Sequence, residues 1–227
     1  MDLNADFSRR VVVHAARLSW TPSPMAGVER RMLDRIGDEV ARATSIVRYA
    51  PDSHFSAHTH GGGEEFLVLE GVFQDEHGDF PAGSYIRNPP TSSHTPGSAS
   101  GCTIFVKLWQ FDPDDRAHVR IETAKRPFVP DPARPGVQVM PLFHDRRETV
   151  RLERWVPGAE VDLDVPGGME LLVLDGGFTE GGESFEPQSW IRLPPGARLR
   201  ATAAPGGCRL WVKAGHLLHA QLAPATA

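Results

Sequence analysis

Cysteine is scarce in this chain: Cys102 and Cys208 are its only thiols, and they lie far apart. Without a C-x-x-C spacing, the sequence suggests neither a thiolate metal site nor a redox pair. Long apolar runs are also missing. No window reaches membrane-spanning length, and "MDLNADFSRRVVVHAARL" places acids ahead of a run of only three valines, so neither a signal peptide nor an anchor is expected there. Basic excess is absent as well, with 24 Lys and Arg against 29 Asp and Glu, both signs interspersed. Nucleic acid and anionic membrane are therefore not implied as partners, because each needs a basic face. A cytoplasmic location is the resulting expectation.

What the sequence has in quantity is punctuation. Its 22 glycines and 20 prolines are spread along the whole chain, which favours many short strands joined by turns over long helices. An all-β fold is expected. "SIVRYAP", "EFLVLEGVF", "SYIRNPP" and "CTIFVKLWQF" are rich in β-branched and aromatic residues and bounded by turn formers. "QDEHGD" and "TEGGES" sit where hairpins would reverse. "VERRMLDRIGDEVAR" could suit a helix with a glycine break, but its counterpart "VQVMPLFHDRRETV" carries a proline and β-branched residues, and strand is expected in both.

That counterpart exists because the chain is written twice. "EFLVLEGVFQDEHGDFPAGSYIRNPP" lies over "ELLVLDGGFTEGGESFEPQSWIRLPP" without a gap, "YAPDSHFSAHTHGG" faces "WVPGAEVDLDVPGG", and "GCTIFVK" faces "GCRLWVK". Each copy is of domain size. The expected organisation is an extension over 1–19, a first domain over 20–112, a linker over 113–135 with one strand in "HVRIET", and a second domain over 136–220.

One cluster in the first copy carries chemistry. His58 and His60 stand at i and i+2, so on a strand both imidazoles face the same side. "GGG", able to turn sharply, leads to Glu64, and His94 follows "NPPTSS" at the end of another strand. Three histidines and a carboxylate from neighbouring strands could close on one ion. His54 shares the parity of His58, so His54 and Ser56 are expected to line the pocket or support the ligands.

These residues resemble a known family. "HTHGGGEEFLVLEG" is similar to the first cupin motif, with Glu64 four positions after His60 and Gly71 seven further on; "GSYIRNPPTSSH" resembles the second, through Gly83, Pro89 and His94. The wording is nearest to the ChrR-like cupins of anti-sigma factors. The resemblance implies two tandem jelly-roll barrels, a bicupin, with one divalent transition metal held by His58, His60, Glu64 and His94. Thr91 stands where the second motif usually has glycine, and Ser98 where it often has asparagine. Nothing before residue 20 resembles a sigma-binding helical domain, so sigma-factor inhibition is not carried over.

In the second copy the alignment sets Asp164, Pro166, Met169 and Leu199 against His58, His60, Glu64 and His94, so that barrel is expected to be metal-free and structural. Glu65 persists as Glu170, which frees its role from any metal. Cys102 and Cys208 are equivalents, as are Tyr85 and Trp190, and all four are expected in cores. Zn and Fe lead as the ion, with Mn and Ni also compatible with N/O ligands. Relatives in the family point to a non-haem Fe(II) dioxygenase acting on a diketone or aryl ketone, and alternatively to a zinc-containing sensing or regulatory module without catalysis. The partner is then a small molecule at the metal or a regulatory protein, and a homodimer is compatible with either.

Overall fold

A computed structural model describes residues 1–38 and 40–220. Among them nearly every regular element is a strand, and the helical segments are three short 3-10 turns. No helix is long and apolar enough to cross a membrane. The chain divides into two compact units, one holding 1–5 and 18–125, the other 6–17 and 126–220.

The contested segment is a hairpin. Val28–Gly37 pairs antiparallel with Ala41–Tyr49, and Gly37, at φ 106°, starts the turn that would have been a helix break. In the first unit this hairpin continues through Cys102–Leu108, Glu64–Asp75 and Ser84–Asn88 to Val119–Glu122, all antiparallel. The far half of Glu64–Asp75 pairs with Gly78–Pro81 and with Gly97–Ser98, which also pairs with Ser53–His54. A separate ribbon joins His58–Thr59 to Ser93–His94. The second unit repeats the order with Val137–His144, Thr149–Trp155, Ala197–Ala214, Met169–Glu180, Ser189–Leu193 and Val11–His14. In each unit the antiparallel strands hold an apolar cluster among them, as the expected jelly rolls require.

The boundaries differ from the sequence-based expectation. Val119–Glu122, from the supposed linker, is an edge strand on Ser84–Asn88, and Val11–His14, from the supposed extension, is an edge strand on Ser189–Leu193. The two segments match each other, "VVVHAARLSWTP" against "VRIETAKRPFVP", each a strand, a 3-10 turn and a further strand. The repeat therefore begins no later than Val11, and the first strand of each repeat completes the unit built mainly by the other. The strand expected in "HVRIET" is present, but it belongs to the first unit's sheet, and a short edge strand of either kind needs ladder bonds on one side only.

Several motif residues serve the fold in both units. A Cβ on Gly71 would stand 2.1 Å from the Gly101 carbonyl oxygen, and one on Gly176 would stand 2.1 Å from that of Gly207. Tyr85 donates its hydroxyl to Glu65 at 2.6 Å, and Trp190 donates its indole N–H to Glu170 at 3.3 Å, so this carboxylate is held alike in both units. Cys102 and Cys208 are buried free thiols, and burial pushes them up to about 11 and about 12 respectively.

Thr91 departs from ideal backbone chemistry. It lies at φ 75°, a left-handed conformation that is an outlier for a β-branched residue, and its register equivalent in the second unit is Gly196 at φ 79°. The αL strain of about 1–3 kcal/mol exceeds the extra entropy glycine loses, about 0.5–1 kcal/mol. Thr91 is exposed, and its backbone N–H already bonds the His60 carbonyl at 2.9 Å. Thr91→Gly is therefore expected to stabilise the protein by about 1 kcal/mol in urea denaturation, and a loss of stability would show the strain is relieved some other way.

Candidate metal centre

The ribbon of His58–Thr59 and Ser93–His94 makes His58 and His94 direct cross-strand partners. His60 follows on the same face as His58, and its turn is tied to the other arm by His60 N–H to Ser92 O at 2.8 Å and Thr91 N–H to His60 O at 2.9 Å. The three rings form a near-equilateral triangle, with centroids 5.0, 4.9 and 4.7 Å apart and planes inclined at 67–79°. One nitrogen from each lies within 4.8 Å of the others, close enough for small side-chain rotations to bring them onto one ion.

Glu64 arrives from the start of the Glu64–Asp75 strand. Its Oε2 stands 3.7 Å from His60 Nε2 and 3.6 Å from His94 Nε2, and it accepts a bond from Asn88 Nδ2 at 3.3 Å. His60 Nε2 and His94 Nε2 are both fully buried without a hydrogen-bond partner. A buried nitrogen left unpaired is costly, and its lone pair supplies what a metal ion requires. The donor set of three imidazoles and a carboxylate fits a divalent transition metal.

Groups behind the rings fix their tautomers. His94 Nδ1 faces Asp75 Oδ2 at 3.2 Å, and His58 Nδ1 faces the Ser56 carbonyl at 3.3 Å, which leaves each Nε2 free as the ligand atom. Burial works to lower the His94 pKa, but the hydrogen bond that its Nδ1–H donates to Asp75 and the charges of Glu64, Asp75 and Glu76 outweigh it and raise it. For His60, burial together with the neighbouring His94 and His58 prevails over Glu64, and its pKa falls.

The "GGG" motif has two separate roles. Only Gly63 uses positive φ, at 78°. A Cβ on Gly61 or Gly62 would lie 2.8 or 2.3 Å from the Trp109 ring, and one on Gly63 would lie 2.4 Å from Phe111. The glycines let two aromatic side chains cover the turn between His60 and Glu64.

A cavity of about 400 Å³ opens onto the cluster, lined by His58, His60, Glu64 and His94 and otherwise mainly by apolar groups including Phe55, Ile104, Val106, Leu108 and Trp109. Tyr49 also lines it, and burial followed by the nearby Glu64 pushes its phenol far up, so it stays protonated.

His54 is not there. It is exposed, and Phe55 takes the inward place. The strands pair His54 with Gly97 and His58 with His94, four steps along one strand against three along the other. The extra residue is a bulge that reverses the facing, so parity with His58 is lost. Ser56 is exposed too and contributes only its carbonyl. Asp75 was the residue not singled out in the sequence, because within "QDEHGD" it reads as a turn former, and nothing local shows that it meets His94.

The second unit lacks the bulge, pairing Glu160 with Thr202 and Leu163 with Leu199, three steps on each side. Register therefore sets Leu163, Val165, Met169 and Leu199 against the four ligands, and the expected equivalents Asp164 and Pro166 are each off by one. All four belong to or pack against one hydrophobic cluster. Hydrocarbon fills the place that the histidine and glutamate cluster occupies in the first unit.

Two jelly-roll units, one with convergent imidazoles and a carboxylate inside it, define a cupin with a candidate metal centre. Residues 8–112 and 116–218 each match the ChrR cupin-like domain, and the chain belongs to that family. Among solved structures, a protein of Nostoc punctiforme proposed to be a dioxygenase is similar with a TM-score of 0.76 at 15% identity, over 97% of this chain and 87% of that one. The E. coli protein Ylba gives 0.69 at 13% identity over 93% of each chain. The bacterial pirin YhhW of E. coli, solved in complex with nickel(II), gives 0.65 at 14% identity over 91% and 99%. At these identities the likeness is one of fold. No curated protein sequence matches the chain.

Asp75→Asn keeps the shape behind His94 but removes the carboxylate that orients it. Metal affinity, measured by competition against a chromophoric chelator, is expected to fall about 10- to 100-fold with unchanged circular dichroism. Unaltered affinity would show that the pair does not support a ligand.

Proposed function

We propose that the chain is a metal-dependent enzyme, a non-haem Fe(II) dioxygenase acting on a diketone or aryl ketone bound in the first unit. The observation that carries this is the cavity of about 400 Å³ opening on the ligand cluster. That volume lies within the range of small-molecule sites, and its apolar walls suit a substrate that is neither sugar nor nucleotide. A zinc ion serving only structure, with four protein ligands, has no use for such a space. This favours catalysis over the zinc-containing regulatory module that the family name brings to mind.

His58, His60, Glu64 and His94 would hold the ion, which supplies a Lewis acid and, if it is iron, a centre that brings an oxygen molecule and the substrate together. Asp75 holds the proton on His94 Nδ1 and keeps that ring turned. Asn88 restrains Glu64 Oε2. Phe55, Ile104, Val106, Leu108 and Trp109 exclude water from the reacting end of the pocket. The Tyr49 phenol, kept protonated, is a donor available to a ketone oxygen. A proximal carboxylate among the ligands also offers a base for the acidic carbon between two carbonyls, within the same cluster.

The test is anaerobic Fe(II) loading followed by oxygen uptake with a panel of β-diketones and aryl ketones. Uptake with at least one compound, reduced to background by His58→Ala, is expected. Equal rates in the two proteins, or no uptake across the panel together with tightly held zinc, would favour the regulatory module instead.

A further inference from the structure

One basic side chain lies in the cavity. Arg30 pairs with Val47 in the hairpin of the first unit, two positions from the Val28–Tyr49 pair, and Val28, Arg30, Val47 and Tyr49 all line the pocket. Arginine on the inward face of a jelly roll, among valines, is costly unless something uses its charge. Its Nε is fully buried without a partner, and among the described residues its guanidinium makes no ion pair within 4.0 Å. Neighbouring arginines are engaged elsewhere: Arg31 and Arg48 lie over the Trp20 ring, and Arg48 also pairs with Glu29.

The second unit supplies an internal comparison. Trp155 pairs with Val137 and Cys208 as Tyr49 pairs with Val28 and Cys102, which sets Val139 against Arg30. Val139 packs against the hydrophobic cluster that also takes in Leu163, Val165, Met169 and Leu199. Arg30 therefore changes to hydrocarbon together with the four ligands, while Val28, Ile104 and Val106 keep apolar equivalents in Val137, Leu210 and Val212. Its cross-strand partner changes too, from Val47 to a buried Glu153 that Arg134 and Arg151 hold, so the second unit pairs its buried charge where the first leaves Arg30 without a partner among the described residues.

Charge points the same way. Glu64 is the only carboxylate among the cavity's described lining residues, and it faces His60 and His94. A divalent ion held by that set leaves the lining with net positive charge, with Arg30 unmatched. A single planar guanidinium with paired N–H donors suits a carboxylate, whereas a phosphate dianion ordinarily recruits several donors, and among the described residues no second Lys or Arg lines this cavity.

We propose that Arg30 is a specificity-determining residue that binds the carboxylate of a small acidic substrate whose opposite, carbonyl-bearing end faces the histidine cluster. This rests on the metal-pocket assignment above and narrows its substrate class to keto acids with a carboxylate remote from the reacting carbonyls. The apolar walls would then contact the carbon chain between the two ends.

The test uses two compounds that differ in one group, 4,6-dioxoheptanoate, a β-diketone with a remote carboxylate, and neutral heptane-2,4-dione. Each is titrated calorimetrically into the full-length protein, both metal-loaded and metal-free, under nitrogen. The acidic diketone is expected to bind the metal-loaded protein at least about 10-fold tighter than the neutral one, as one good charge-assisted contact would give. Arg30→Gln should bring the two within about 2-fold while leaving metal content and heptane-2,4-dione affinity unchanged, and Arg30→Lys should restore part of the preference. Equal binding by the parent protein, a preference that survives Arg30→Gln, or binding of neither compound to either form would overturn the proposal. A preference of the same size in metal-free protein, with no metal retained, would support Arg30 as the carboxylate anchor and defeat the metal assignment instead.

Discussion

Two imidazole nitrogens, His60 Nε2 and His94 Nε2, are buried with no hydrogen-bond partner, and much of the first unit is arranged around that fact. Each such nitrogen costs about 1–3 kcal/mol if nothing binds it. The chain nevertheless holds them a few ångströms apart by a cross-strand pair, two backbone bonds between turns and a carboxylate behind one ring. Three glycines between His60 and Glu64 give up side chains so that Trp109 and Phe111 can close over the turn. These are costs of a site, and a unit selected for stability alone would not carry them.

The same chain shows what the fold does without that site. In the second unit the bulge is gone, one long strand, Ala197–Ala214, replaces three short ones, and Leu163, Val165, Met169 and Leu199 meet in a continuous hydrophobic cluster. What both units keep is the set of contacts that the architecture itself demands. The glycine pressed against a carbonyl at Gly71 and Gly176 is one, and the buried glutamate bonded to an aromatic donor at Glu65 and Glu170 is another. Two copies of one fold, one with the cluster and one with hydrocarbon in its place, separate chemistry from scaffold more cleanly than either copy could alone.

The strand pattern, the duplication and the cluster of His58, His60, Glu64 and His94 were legible in the sequence because each depends on short-range signals: alternation, turn residues, fixed motif spacing. What was not legible depends on where distant strands meet. His54 was misplaced because one extra residue between it and His58 turns its side chain outward, and a bulge has no sequence signature here beyond its consequence. Asp75 looked like a turn residue, and is one, but its partner His94 comes from another strand. The strand in "HVRIET" was legible as Val119–Glu122, but not its place as an edge strand, and Val11–His14 was passed over as an extension; their shared pattern became evident only once both were seen at equivalent sheet edges. Arg30 lay inside a segment whose helix-or-strand character had to be decided before its inward direction had any meaning.

The central claim is one metal ion per chain, held in the first unit alone. It is tested most directly by the metal content of purified full-length protein beside a variant in which the first unit receives its counterpart's residues, His58→Leu, His60→Val, Glu64→Met and His94→Leu. The expected result is close to one transition-metal ion per chain in the parent and none in the variant, with the variant still folded, since the second unit already tolerates those residues in that register. Two ions per chain, none in the parent after metal loading, or an unchanged content in the folded variant would contradict it.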